Sequence, residues 1–106
     1  MKVIFMGSPD FATPTHEALV KSNHEILAVY SQPPRPAGRG QKVKSTPVHQ
    51  LAQSHHLSVC VPEKLSPEEV GKILAQKPDL IVVVAYGLIL PENLVNSLTC
   101  INLHPS

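Results

Sequence analysis

Apolar positions along the chain fall into short runs that alternate with segments of helical period. Residues 2–6 are a first apolar run, closed by Gly7-Ser8-Pro9, and predict a buried strand. Residues 11–22 follow with Phe11, Thr15, Ala18 and Leu19 on one helical face. Either Asp10 caps this helix, or Thr13 does with Pro14 in the first turn. Residues 25–31 predict a second strand, whereas 32–45, rich in Pro, Gly and Arg, have no hydrophobic period and read as a loop. Thr46-Pro47 repeats the cap-then-proline signal and opens a short helix with Val48, Leu51 and Ala52 inward. Residues 57–61 predict a third strand, and Ser66 and Glu69 are spaced as a capping box ahead of an inward stripe of Val70, Ile73 and Leu74.

Residues 79–86 are apolar on both faces, as only a central strand covered by helices on two sides can be. Gly87 breaks this strand, Pro91 begins a short helical turn, and 100–103 predict a fifth strand running into His104-Pro105-Ser106. Strands alternating with helices across short connections predict an α/β, Rossmann-like fold: a doubly wound parallel sheet with right-handed crossovers and strand order 3-2-1-4-5. No linker, repeat or low-complexity tract divides residues 1–106, which read as one domain.

Composition adds limits. Trp is absent and only two Tyr and two Phe are present, so the core rests on Val, Ile, Leu and Ala. No apolar run approaches the length of a membrane span, and the N-terminus is too abrupt for a signal peptide; a cytoplasmic protein without membrane contact is expected. Cys60 and Cys100 read as buried free thiols, in keeping with a reducing cytosol, and nothing in the sequence asks for a disulfide between them. His16, His24 and His49 lack metal-ligand partners at useful spacing, His55 and His56 read as surface residues near a helix end, and no metal is expected. The net charge of +1 is unevenly spread: no acidic residue lies between Glu25 and Glu63, where Arg35, Arg39, Lys42 and Lys44 cluster. On charge alone this stripe is either an anion or nucleic-acid contact or an ordinary solvated loop.

In an open parallel sheet, ligands lie beyond the carboxyl ends of the strands. A dinucleotide site fails here, because a single glycine follows the first strand and no acidic residue ends the second; a P-loop is absent as well. The last strand is more informative. Asn102 and His104, two apart in an extended segment, face the same side. An amide beside an imidazole offers donors for a carbonyl oxygen that gains charge during acyl transfer, and a proton carrier near neutral pH. The plain alternative is a polar pair satisfying local backbone.

Four segments in order resemble the methionyl-tRNA formyltransferases. Residues 7–12 (Gly-Ser-Pro-Asp-Phe-Ala) are similar to their opening glycine turn, and 31–40 (Ser-Gln-Pro-Pro-Arg-Pro-Ala-Gly-Arg-Gly) to their tRNA-binding loop. Residues 82–91 are similar to their central strand and its exit, and 101–106 (Ile-Asn-Leu-His-Pro-Ser) to the start of their active-site motif. The last motif is shared with other folate-dependent formyltransferases; the Arg/Gly loop narrows the likeness to the tRNA enzymes. The resemblance implies transfer of formyl from 10-formyltetrahydrofolate, without a metal, to the methionine amino group of initiator methionyl-tRNA. It implies Asn102 and His104 as two of three catalytic polar residues. Tyr86, Gly87, Leu88 and Ser106 would form the folate side of the cleft, although Tyr86 reads equally as packing. Gly7, Ser8 and Pro9 would line the floor, and Arg35, Arg39, Lys42 and Lys44 would meet tRNA, with Arg39 foremost. Pro34 departs from the acidic residue common in the family, which bears on how Arg35 is positioned.

The same resemblance places the third catalytic residue, an aspartate, further strands and a C-terminal barrel-like tRNA-binding domain beyond Ser106. Residues 1–106 are therefore expected to be an N-terminal part of the domain, with uncovered apolar sheet surface, marginal stability, and a tendency to associate with itself or a complementary chain. Two readings follow: a formyltransferase domain completed by a separate polypeptide, or a truncated, non-catalytic formyltransferase-like protein with residual or no RNA or folate binding.

Overall fold

Side chains alternate between the two faces of a strand, and in β1 (Lys2–Gly7) both faces lead inward: Val3, Ile4, Phe5 and Met6 are all fully buried. The computed structural model describes residues 1–9, 12–37 and 42–103. Their elements follow in the order β1, α1 (Thr13–Val20), β2 (Glu25–Tyr30), β3 (Arg35–Ala37), β4 (Lys42–Lys44), α2 (Pro47–Ser54), β5 (Val59–Cys60), α3 (Pro67–Ala75), β6 (Leu80–Val84), α4 (Glu92–Ser97) and β7 (Cys100–Leu103). Five of the strands form one parallel sheet in the order β5-β2-β1-β6-β7. With the β3–β4 pair set apart, this is the order 3-2-1-4-5 that the sequence predicts, in an α/β, Rossmann-like arrangement.

The sheet divides the core into two layers. On one face Val3, Phe5, Val29, Val82 and Val84 pack with Ala12 beside α1 and with Val48 and Ala52 of α2. On the other, Ile4, Met6, Tyr30, Ile81 and Val83 meet Val70 and Ile73 of α3 and Leu94 of α4. The chain therefore changes face between β1 and β6, and a crevice opens beyond their carboxyl ends. At their other ends Lys2 N–H donates to Asp79 Oδ2 at 2.7 Å, fixing the register far from that crevice.

Helix starts follow the caps read from sequence in two cases. Thr46 Oγ1 accepts from His49 N–H at 3.1 Å and Ser66 Oγ from Glu69 N–H at 3.3 Å, and each is followed by a proline in the first turn. The first helix differs. Ala12 N–H donates to Pro9 O at 3.0 Å, so the turn tightens one residue early and Thr13 is already helical rather than a cap. Asp10, the other cap candidate, lies outside the described residues, as does Phe11 of the predicted inward face. The inward face of α1 also differs: Ala18 is exposed, and the buried residue is His16, which shares its stripe with Ala12 and Leu19. Two more expectations change. The segment read as a loop contains an antiparallel ribbon, with Arg35 opposite Lys44 and Pro36 opposite Val43; it buries no apolar stripe, so it leaves no period in the sequence. Both cysteines are free, but half-buried at the margin of the core rather than enclosed.

β7 ends the sheet. Ile101 and Leu103, on the α1–α2 face of β7, remain 43 % and 42 % exposed, an uncovered apolar margin of the kind expected. Among the described residues, no helix is long and apolar enough to cross a membrane.

His16 meets the Phe5 ring edge-on, with centroids 5.3 Å apart, and lies beside His55 at 6.2 Å. His55, expected at the surface, is instead half-buried and hydrogen-bonded to Glu17, tying the end of α2 to α1. No hydrogen bond among the described residues reaches either ring nitrogen of His16. Burial, reinforced by His55 and opposed by Glu17, lowers the His16 pKa, so the folded protein keeps this imidazole neutral. The unfolded chain takes the proton near the ordinary value of 6.5 while the folded one resists it. Stability from this group is thus present above that value and lost as pH falls below it. Urea midpoints should fall between about pH 7.5 and about pH 5.5, and His16→Leu should flatten the dependence. An equally steep fall in the variant would assign the effect elsewhere.

Candidate active site

Three strand exits meet at the crevice: residues 7–9 after β1, 31–33 after β2 and 85–87 after β6. Their joint is a chain of hydroxyls. Ser31 Oγ gives its one proton to Ser8, so its bond with Thr46 runs from the Thr46 hydroxyl, which also accepts from His49 N–H. Ser31 donates to Ser8 Oγ at 3.4 Å, and Ser8 donates to the Tyr86 carbonyl at 3.1 Å. Ser8 Oγ also accepts from Gln32 N–H at 3.2 Å, which fills its donor and both acceptor positions. The Tyr86 carbonyl receives a second donor, Gln32 Nε2, at 3.1 Å.

This joint demands an unusual backbone. Ala85 has φ +48° and Gly87 φ +88°. A non-glycine residue held there costs roughly 1–3 kcal/mol, and strain of this kind gathers where a strand exit must be aimed. A Cβ on Gly87 would lie 1.9 Å from Gln32 Nε2, so only glycine admits that side chain. Gly7 is equally confined, since a Cβ there would stand 2.9 Å from the Val84 carbonyl.

Two cavities flank the joint and share Ala85 as a wall. One, of about 320 Å³, is lined by Ser8, Pro9, Gln32 and Thr46, with Arg35 and Lys44. The other, of about 360 Å³, lies between the β6 exit and β7, where Gly87, Leu88, Ile89 and Leu90 face Asn102. Asn102 is placed there by its pairing with Val83 in the sheet register.

Of the residues expected at the site, Ser8 and Pro9 border the first cavity with Arg35 and Lys44, and Tyr86, Gly87, Leu88 and Asn102 border the second. Tyr86 borders the second cavity and also packs inward. Its ring is buried in the core, and burial raises its pKa far above the ordinary phenol value, with Cys60 and Glu69 adding to the rise; its carbonyl anchors the crevice. Lys42 is the first residue of β4. Arg39, His104 and Ser106 lie outside the described residues. Sequence reading gave Ser31, Gln32 and Ala85 no individual role in the site, and Thr46 only that of a helix cap. Their part depends on strand exits brought together by the sheet, and a serine, glutamine or threonine beside proline looks like ordinary turn chemistry. Arg35 is held by Gln32, whose Oε1 accepts from Nη2 at 3.3 Å.

Arg35 and Lys44 stand directly opposite each other in the ribbon, a like-charge pairing that destabilises it unless an anion lies between. None of the ion pairs found among the described residues involves either one. Among the described residues, no group of three or more His, Cys, Asp or Glu is arranged to hold a metal.

Comparison with known proteins agrees with this architecture. The family model described as Formyl transferase matches residues 1–106. A methionyl-tRNA formyltransferase of Novosphingobium aromaticivorans is 50 % identical over 109 aligned residues, covering all of this chain and 36 % of the relative. Enzymes of the same name from Methylococcus capsulatus and Coxiella burnetii are 51 % and 47 % identical, each with all of this chain and 35 % of the relative covered. The chain thus spans about a third of the length of these curated relatives. A matching family model over its whole length and close identity to the N-terminal part of these enzymes place the chain in the formyl transferase family.

Proposed function

We propose that the chain supplies the donor cleft and an RNA contact of a methionyl-tRNA formyltransferase, which moves a formyl group from 10-formyltetrahydrofolate to the amino group of methionine on initiator tRNA. The observation that carries this reading is the pair of cavities meeting at Ala85, one bordered by Asn102 and the other by Arg35 and Lys44. A donor and a polyanionic acceptor need such adjoining sites, with the reacting groups at the shared wall. The donor-side cavity falls within the usual range for small ligands, about 300–1,000 Å³. Its apolar flank of Leu88, Ile89 and Leu90, with one amide at the edge, fits a flat ring carrying a formyl group.

The folate supplies an activated formyl carbon. Asn102 would donate its amide N–H to the formyl oxygen as negative charge gathers there. His104 would take the proton that the attacking amine loses and return it to the departing folate nitrogen. The amine must be neutral to attack, so this proton transfer belongs to the reaction itself. Arg35, Arg39, Lys42 and Lys44 would neutralise phosphates near the acceptor end, where unpaired bases are open to contact. A second reading keeps the binding and not the turnover. It concerns residues 1–106 by themselves, which match 36 % of the length of the Novosphingobium aromaticivorans relative.

A formylation assay with methionyl initiator tRNA and 10-formyltetrahydrofolate separates the two. Under the first reading the chain turns over, and Asn102→Ala lowers kcat by about 10²–10³-fold, the usual cost of one oxyanion donor. No turnover at high protein concentration, with tRNA still bound, supports the second reading. For the RNA contact, Arg35→Gln and Lys44→Gln should each weaken tRNA binding and reduce its salt slope by about 0.7–0.9. An unchanged slope in both variants removes the ribbon from the interface.

A further inference from the structure

We infer that Gln32 is a positioning residue that couples occupancy of the two cavities; the inference rests on the reading that one takes RNA and the other the formyl donor. Gln32 belongs to neither the ribbon nor the β6 exit, yet its side chain touches both. Its Nε2 donates to the Tyr86 carbonyl at 3.1 Å and its Oε1 accepts from Arg35 Nη2 at 3.3 Å. Only this orientation satisfies both neighbours. Turned by half a circle, the amide would set oxygen against the carbonyl and NH₂ against the guanidinium. The side chain also fills the space that a Cβ on Gly87 would occupy, so the left-handed turn and the amide fit one another.

One planar amide therefore joins the cation of one cavity to the wall of the other. A guanidinium carries five N–H donors, so Arg35 can keep its bond to Gln32 while turning others toward a phosphate. An anion that holds the guanidinium steadies Oε1, and the charge-assisted bond polarises Nε2–H toward Tyr86 O. In the other direction, a donor packed against Gly87 and Leu88 fixes the turn and, through the same amide, aims Arg35 before RNA arrives. Whichever ligand binds first meets the ordering cost that the second then avoids, so the coupling is positive and equal in both directions. Ser8 reinforces the arrangement by accepting from Gln32 N–H, which leaves the side chain as the mobile part.

The test measures tRNA affinity with and without saturating 5-formyltetrahydrofolate, a non-transferring analogue of the donor, in the parent chain and in Gln32→Met and Gln32→Glu. Methionine keeps the volume and loses both hydrogen bonds. Glutamate keeps the acceptor for Arg35 but loses the donor to Tyr86. The parent should bind tRNA about fivefold tighter when the analogue is present, the worth of roughly one hydrogen bond. In both variants that ratio should fall to about one, whatever happens to the separate affinities. A merely structural Gln32 would shift the affinities and leave the ratio in place. If both probes bind the parent without mutual effect, or if the ratio survives in Gln32→Met, the coupling is overturned while the functional reading stands. If the parent binds neither probe, both are overturned.

Discussion

The hydroxyl of Ser8 uses its one proton and both lone pairs, and every partner lies on the exit of a neighbouring strand. It donates to the carbonyl after β6 and accepts from the side chain of Ser31 and the main chain of Gln32 after β2. Main-chain pairing holds parallel strands together along their length but ends where the strands end, and there the chain must turn without the help of the ladder. In this protein the ladder gives way to a run of hydroxyls from Thr46 through Ser31 to Ser8. Thr46 is also the cap of α2, so helix start, strand exits and crevice floor share one set of hydrogen bonds. The central position of β1 between β2 and β6 makes this possible, since its exit has a neighbour on each side that turns into the site.

Those elements whose two faces meet apolar layers were legible in the sequence. Residues 2–6 and 79–86 are apolar on successive positions because helices cover both faces, and their pattern predicts the strands and the sheet order together. The caps at Thr46 and Ser66 were legible because their chemistry is local. The ribbon was not. Pro36 faces Val43, and Arg35 faces Lys44, so nothing in it alternates between core and solvent, and its order comes from pairing alone. The face of α1 was misread because His16, polar by type, is buried against Phe5, whereas Ala18 points outward. Asn102 was legible as a candidate because strand alternation fixes its direction. Gln32 was not, since its partners at Tyr86 and Arg35 are adjacent only after folding.

Division of labour between the two sides of Ala85 follows from where charge is tolerated. Arg35 and Lys44 in the ribbon are exposed and keep their hydration, which under the proposed function suits a polyanion reached through long side chains. Among the described residues the β6–β7 side is lined by apolar side chains apart from Asn102, which suits a ligand whose reactive group alone is polar. The strained Ala85 lies between the two and, among the described residues, alone borders both. A fold of this class is used for many chemistries, and here the specific content resides in these exits rather than in the sheet.

The claim that the Ser8 hydroxyl holds the strand exits together is tested most directly by residue-resolved amide hydrogen exchange on Ser8→Ala. Loss of that hydroxyl removes the acceptor of Gln32 N–H and one donor to Tyr86 O, and a buried hydrogen bond left unmade costs about 1–3 kcal/mol. Exchange at Gln32 and across residues 85–88 should quicken by roughly ten- to a hundredfold, while the amides of Ile81 and Val83 within the ladder keep the rates of the parent. Unchanged exchange at Gln32, or an equal acceleration throughout the sheet, would contradict the account.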